Sequence, residues 1–365
     1  ESSCSLVGSE MCIRDRFMTG GLSSFMPLGE AISHAFIMGT YPAEEADVLA
    51  AEREYCEMEK ELEDELDHYE ARHPGCDEYN VKAQEIWHDP YALCAIISAY
   101  LGGEEWTIDS AYPVMERYFK LQYVLTEKIT TETRYRTEQR VGQQLVTDPK
   151  TGAQRWESYT YEVEVPYTYR ICDVKLENKN LSHQPVYSMS REKMGLYALY
   201  MSTLGNMPDL FAGKPHASQL KDPLLYDVPE EYKQADPQFG KLIEEAEKYL
   251  GFPYVWGGSS PDTSFDCSGF VSYVFTNSGV YNTGRLGATG LYGICQKITA
   301  DEARPGDLIF FEGTMGEDVG GITHVGLYVG DNMMIHCGNP ITYADLTRTY
   351  WQQHFYGFGR IPYDP

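Results

Sequence analysis

The chain has 365 residues and a formal net charge of −26, room for two or three domains that each bury a core. That balance leaves no basic patch, which excludes nucleic acid as a partner, and it gives no attraction to anionic wall polymers or anionic lipid. Its nine cysteines form no CxxC pair and no metal-ligand spacing, so neither a metal site, a cofactor nor a disulfide framework is indicated.

In chain order, residues 1–16 have no hydrophobic core, no helical period and no cleavage pattern; they resemble a translated sequencing-adapter read and are set aside. Phe17–Tyr41 is mildly apolar but interrupted by Glu30 and His34, too broken to span a bilayer. The expectation is that the native start carries a lost membrane anchor or signal segment. From Ala43 to Arg72 the pattern is helical and acidic, with Tyr55, Met58, Leu62, Leu66 and Tyr69 along one face, ended by His73-Pro74-Gly75. This charged face reads as a solvated surface or as a stalk; 17–78 is taken as one membrane-proximal segment.

A small α+β domain is expected over 79–211. Asp89 is an N-cap with Pro90 at the first helical position, and the helix stops at Gly102-Gly103; a second runs from Asp109 to Tyr123. The period then changes to two. Strands are predicted over Val124–Arg136, Trp156–Tyr167 and Tyr167–Leu176, a three-stranded meander with its first turn at Asp148–Gly152. Ser190–Leu204 is a helix with an imperfect capping box, Lys193 standing where Glu is expected. No catalytic constellation or ligand motif is visible here. Residues 212–237 are a Pro- and Asp-rich linker, and the domain 238–365 opens with an amphipathic helix over Phe239–Leu250.

The chemistry concentrates in that last domain. Asp266 is a natural N-cap, and Phe270, Val271, Val274 and Phe275 recur at helical spacing, so Cys267 falls in the first turn of a helix. A helix start stabilises a thiolate, and an imidazole can take its proton. His324 lies 57 residues later in a strand-like run, and His336, 12 further on, ends a second such run. Two antiparallel neighbours would present both imidazoles at one sheet edge, a Cys-His-His arrangement. Asp307 reads as a turn residue leading into the strand Leu308–Phe311, and nothing fixes whether Cys295 and Cys337 pair.

Pro253-Tyr-Val-Trp-Gly-Gly258, Asp266-Cys-Ser-Gly-Phe270, Arg304-Pro-Gly-Asp-Leu308, His324-Val-Gly-Leu-Tyr-Val-Gly330 and Ile335-His336 resemble, in order and spacing, the NlpC-type cell-wall peptidases. The resemblance implies an α+β fold: a papain-like domain with its helical part on an antiparallel sheet, after the small α+β domain and acidic helix. It implies peptidoglycan as substrate, cut at the bond after γ-linked D-glutamate, with Cys267 as nucleophile, His324 as base and His336 orienting His324. Tyr254, Trp256, Asp266 and Ser268 become candidate substrate-binding residues, although Tyr254 also reads as core packing and Asp266 as an N-cap alone. Cys337 stands where a small residue is common in the family. Asp89–Leu210, with His88-Asp-Pro-Tyr91 and Leu199-Tyr-Met-Ser-Thr-Leu-Gly205, looks like the middle part of wall hydrolases encoded on conjugative elements of Gram-positive bacteria. That likeness implies an enzyme on the outer face of the cell with conjugation machinery as partner. A wall amidase or acyltransferase with the same Cys-His pair, or a non-catalytic wall-binding component, are the alternatives.

Overall fold

The computed structural model describes residues 39–315 and 320–363. The expectations for the first 38 residues lie outside them. No helix among the described residues is long and apolar enough to cross a membrane. The chain forms two compact units: one holds Cys56–Ile86 and Gln122–Lys179, the other the residues up to Tyr55, Trp87–Leu121 and Asn180 onward.

The first unit is built on a β-ribbon. Strands β1 (Glu78–Ala83), β2 (Tyr123–Thr147) and β3 (Gln154–Asn178) lie in the order β1-β3-β2. β2 and β3 pair without a break from Tyr123↔Asn178 to Thr147↔Gln154, a ribbon of roughly 80 Å at the usual rise per residue. The expected meander is corrected here: what reads as two strands meeting at Tyr167 is one. Pro166 prompted the division. It faces Tyr135 where β3 has no third strand, because β1 pairs only with Ile171–Leu176. A proline on an open edge breaks no ladder. The expected turn is present, Asp148 Oδ1 accepting from Lys150 N at 2.8 Å and Thr151 N at 3.2 Å. At the ribbon base Tyr123, Cys172, Val174 and Leu176 are buried, as are Leu66 and Tyr69. Tyr69 donates to Glu127 at 2.7 Å.

The ribbon explains why the expected 79–211 domain is divided between the two units. Its strands leave and return at the facing pair Tyr123 and Asn178, so the segments before and after it stay together in the second unit. There, helix α1 (Glu45–Asp67) contributes its first turns, followed by α2 (Pro90–Tyr100), α3 (Ile108–Gln122) and α4 (Arg191–Thr203). Asp89 caps α2 by accepting from Tyr91 N at 3.0 Å, and α2 is buried from Pro90 to Ala99. A helix apolar on every side has to be central to its packing. Ser190 Oγ accepts from Lys193 N at the start of α4, and Leu204 ends it in the left-handed region at φ 49°.

The rest of the second unit is the C-terminal domain. α5 (Pro237–Glu247), capped by Asp236, packs with α6 (Cys267–Asn277) on one face of a sheet. After the short pair β4 (Ser259–Ser260) and β5 (Ser264–Phe265) come β6 (Gln296–Ile298), β7 (Leu308–Glu312), β8 (Ile322–Gly330), β9 (Met333–Cys337) and β10 (Ile341–Asp345). A one-and-a-half-turn helix, α7 (Thr349–His354), precedes β11 (Phe355–Arg360). The six-stranded sheet runs β10-β9-β8-β7-β11-β6 with antiparallel neighbours. Phe239, Leu242, Phe270, Val274, Leu327 and Ile335 fill the space between helices and sheet. The α+β class and the antiparallel sheet are as the sequence implies.

Candidate active site

Cys267 is the first residue of α6. Asp266 fixes that helix start, accepting from Gly269 N at 2.6 Å and from Gly257 N at 3.1 Å. The glycine is required: a Cβ on Gly269 would stand 2.1 Å from the carbonyl oxygen of Gly258. The chain before the helix is thereby clamped to its first turn, and the thiol is aimed at β8. Its Sγ lies 4.0 Å from Thr323 O. Burial pushes the thiol up to about 12, with the Asp266 charge adding, while the N–H groups of Val325 and Ser268 and the Arg285 charge pull the other way. Cys267 is only 6 % exposed.

His324 on β8 and His336 on β9 are buried side by side, because Gly326 pairs with His336 in the ladder. His324 Nε2 and His336 Nδ1 are 2.9 Å apart. A hydrogen bond there uses Nε2 of His324 and leaves Nδ1 as the free ring nitrogen of the residue between Thr323 and Val325, which flank the sulfur. Burial holds His324 down at about 4, and burial plus the neighbouring His324 holds His336 well below its ordinary value. Burial thus favours the neutral form of the thiol and of both imidazoles. Trp351 of α7 covers them, stacked on His324 at 5.7 Å between ring centroids and edge-on to His336 at 5.0 Å. Sequence reading missed Trp351; its only signal is an aromatic pair, Tyr350-Trp351, without a strand or helix period. Tyr254 faces the same cleft, its backbone N donating to Asn339 Oδ1 at 3.3 Å.

The family model that matches this chain is described as the NlpC/P60 family and covers residues 251–360. The C-terminal domain is an NlpC/P60 domain. Over 121 residues the chain is 46 % identical to the bifunctional muramidase/DL-endopeptidase CwlT of Bacillus subtilis, a stretch that is 33 % of this chain and 36 % of that protein. Over 143 residues it is 34 % identical to the gamma-DL-glutamyl hydrolase of the same organism, 38 % of this chain and 30 % of that protein. A solved structure of a lipoprotein-like NLP/P60 family protein from Staphylococcus aureus aligns with 50 % of this chain and 65 % of that one, at 30 % identity and a TM-score of 0.34. The chain thus spans about a third of the length of these two curated relatives.

Within the NlpC/P60 domain, Asp266 and Ser268, both expected to hold substrate, form one hydrogen-bonded group with Arg285. Both are buried, and their polar atoms are already engaged: Ser268 Oγ donates to Asp266 Oδ1 at 2.9 Å, Arg285 donates to Ser268 Oγ at 3.0 Å and pairs with Asp266. They brace the helix start behind the thiol. Arg285, in the loop after α6, was not legible in sequence, since a lone arginine between Gly284 and Leu286 carries no spacing signal. Cys337 is fully buried and donates to Phe265 O at 3.2 Å, and both it and Cys295 are free thiols.

A cleft of about 420 Å³ opens over the imidazoles. Tyr254, Trp256, His324, His336 and Trp351 line it from the NlpC/P60 domain, and Cys267 is not among its lining residues. Its opposite wall comes from Asn180, Ser182 and His183, outside the family-matched residues. The site thus brings together a thiol at a helix start, two imidazoles in contact, and a cleft with room for a short peptide.

Proposed function

We propose that this protein is a peptidoglycan hydrolase, a cysteine endopeptidase that cuts the γ-D-glutamyl–diamino acid bond of stem peptides. The observation that supports the reading is the 2.9 Å His324–His336 contact beside a thiol at the start of α6; in this reading Nε2–H of His324 faces His336 and Nδ1 is left to act on Cys267. The activities for which two relatives are named, DL-endopeptidase and gamma-DL-glutamyl hydrolase, support the same bond class.

In the reaction, Nδ1 of His324 takes the proton of Cys267 as the sulfur attacks the peptide carbonyl carbon. The carbonyl oxygen gains the negative charge and is met by the backbone N–H of Cys267 and the Tyr254 hydroxyl. His324, now an imidazolium stabilised by His336, returns the proton to the leaving nitrogen as the C–N bond breaks. Water then attacks the thioester, again giving its proton to His324, and the acid and the free thiol are released. The starting pair is neutral, so His324 acts as a general base on a thiol and no standing thiolate is needed.

The reading puts the protein outside the cytoplasm of a Gram-positive bacterium, at the wall. A role with conjugation machinery rests on the sequence likeness of 89–210. Mass spectrometry of a synthetic stem peptide treated with wild type and Cys267→Ala decides the activity. Cleavage after D-glutamate by wild type alone supports it. Fragments from another amide or an acyl-transfer product give the amidase or transferase alternative, and intact peptide in both samples refutes catalysis.

A further inference from the structure

The wall opposite the imidazoles is built, not incidental. Asn180 accepts from Ser182 N at 3.1 Å and opens a short turn that ends at His183. The His183 ring stacks on the Trp256 indole, centroids 4.1 Å apart and planes within 17°. Trp256 Nε1 donates to Tyr187 Oη at 3.3 Å. Val186 packs so closely on Gly257 that a Cβ there would stand 2.5 Å from its Cγ2. Ser188 holds this segment from behind, its Oγ 2.7 Å from Tyr118 Oη.

Into the cleft this wall presents polar atoms without positive charge. The ring nitrogens of His183 have no hydrogen-bond partner among the described residues, and burial holds that imidazole down at about 4. No lysine or arginine is among the described residues that line the cleft. Its histidines, His183, His324 and His336, are all held neutral. Asp89, the carboxylate in the wall, is spoken for by Ser218 N at 3.1 Å, by Ser218 Oγ and by Tyr91 N. A ligand carboxylate entering here would lose water and meet no cation, whereas a carboxamide can both donate to and accept from a neutral imidazole.

Building on the endopeptidase reading, we propose that His183 is a substrate-binding residue and that its wall selects stem peptides bearing a carboxamide on the D-glutamyl residue over those bearing the free carboxylate. The shape of the cleft and the chemistry of its lining together carry this.

The test uses binding, so that it stands apart from turnover. Two synthetic stem tripeptides, one with D-isoglutamine and one with γ-linked D-glutamate, are titrated by calorimetry into the full chain carrying Cys267→Ala. The amide peptide should bind at least about tenfold tighter, the equivalent of roughly 1.4 kcal/mol. Adding His183→Ala should weaken the amide peptide about tenfold and narrow the difference between the two. Adding His183→Asn instead, which keeps a donor and an acceptor, should recover most of the loss. Equal binding of the two peptides, tighter binding of the carboxylate, no binding of either, or an unchanged Kd in His183→Ala each overturns the proposal. Wild-type turnover is read separately: binding as expected with no cleavage refutes the peptidase reading and leaves the wall standing.

Discussion

In the proposed mechanism His336 Nδ1 accepts from His324 Nε2–H, and His336→Ala, which removes that acceptor, tests the arrangement most directly. The contact is 2.9 Å long and both rings are buried, so no solvent replaces the lost partner. Leaving that N–H unpaired costs about 1–3 kcal/mol. His324 can avoid the cost by moving its proton to Nδ1, but this tautomer cannot accept from the thiol. The base-competent fraction then falls by about 5- to 150-fold, at 1.36 kcal/mol for each factor of ten. Trp351 still stacks on His324 from the other side and keeps the ring in place. The expectation is a kcat lowered by about 10- to 100-fold with KM within about twofold, and partial recovery in His336→Gln, whose amide oxygen can accept. Initial rates on a stem tripeptide give the kinetic split, and nitrogen-15 NMR of His324 reports which ring nitrogen carries the proton. Wild-type kcat in His336→Ala, or a loss confined to KM, would refute the reasoning.

Gly269→Ala should lower stability by about 2 kcal/mol or more, read from the urea midpoint, because its Cβ would overlap Gly258 O. Arg285→Ala should cost about 1–2 kcal/mol, less than a fully buried pair, since Arg285 remains 38 % exposed in its pair with Asp266. His324 has its folded value lowered from 6.5 to about 4, so its contribution to stability is whole above pH 6.5 and lost as pH falls toward 4; His324→Gln should flatten that part of a urea-midpoint curve. The Cys267 thiol, raised from 9.0 to about 12, contributes fully below pH 9 and loses its contribution between 9 and 12; alkylation by iodoacetamide at pH 7 should be much slower than for free cysteine.

The NlpC/P60 domain was legible because its chemistry depends on local signals. Asp266 reads as a cap whether or not the rest is known, and His324 and His336 sit in runs of strand period, whereas the close approach of Gly269 to Gly258 O appears only in the structure. The ribbon was legible as strand and turn but not in its continuity. A proline such as Pro166 ends a central strand and is tolerated on an open edge, and only the pairing tells which edge is open. The same limit hid the grouping of helices on either side: period two announces strands, not that both ends of a ribbon share one place.

The opposite wall of the cleft illustrates a different limit. His183 has no spacing to any site residue, and its neighbours Leu181-Ser182 read as a turn between a strand and a helix. It gains meaning only through Trp256, whose indole it covers and whose Nε1 is held by Tyr187 from the same segment. His183 and Tyr187 lie outside 251–360, so the family match does not describe this wall. Cys267, His324 and His336 stand in motifs because the proposed reaction would fix their mutual geometry. A wall that only has to bind one face of a peptide is free to be built from any segment the fold brings near. Selectivity should therefore vary with 180–188, and transplanting that segment's His183 environment should change which peptide is bound before it changes how the bond is cut.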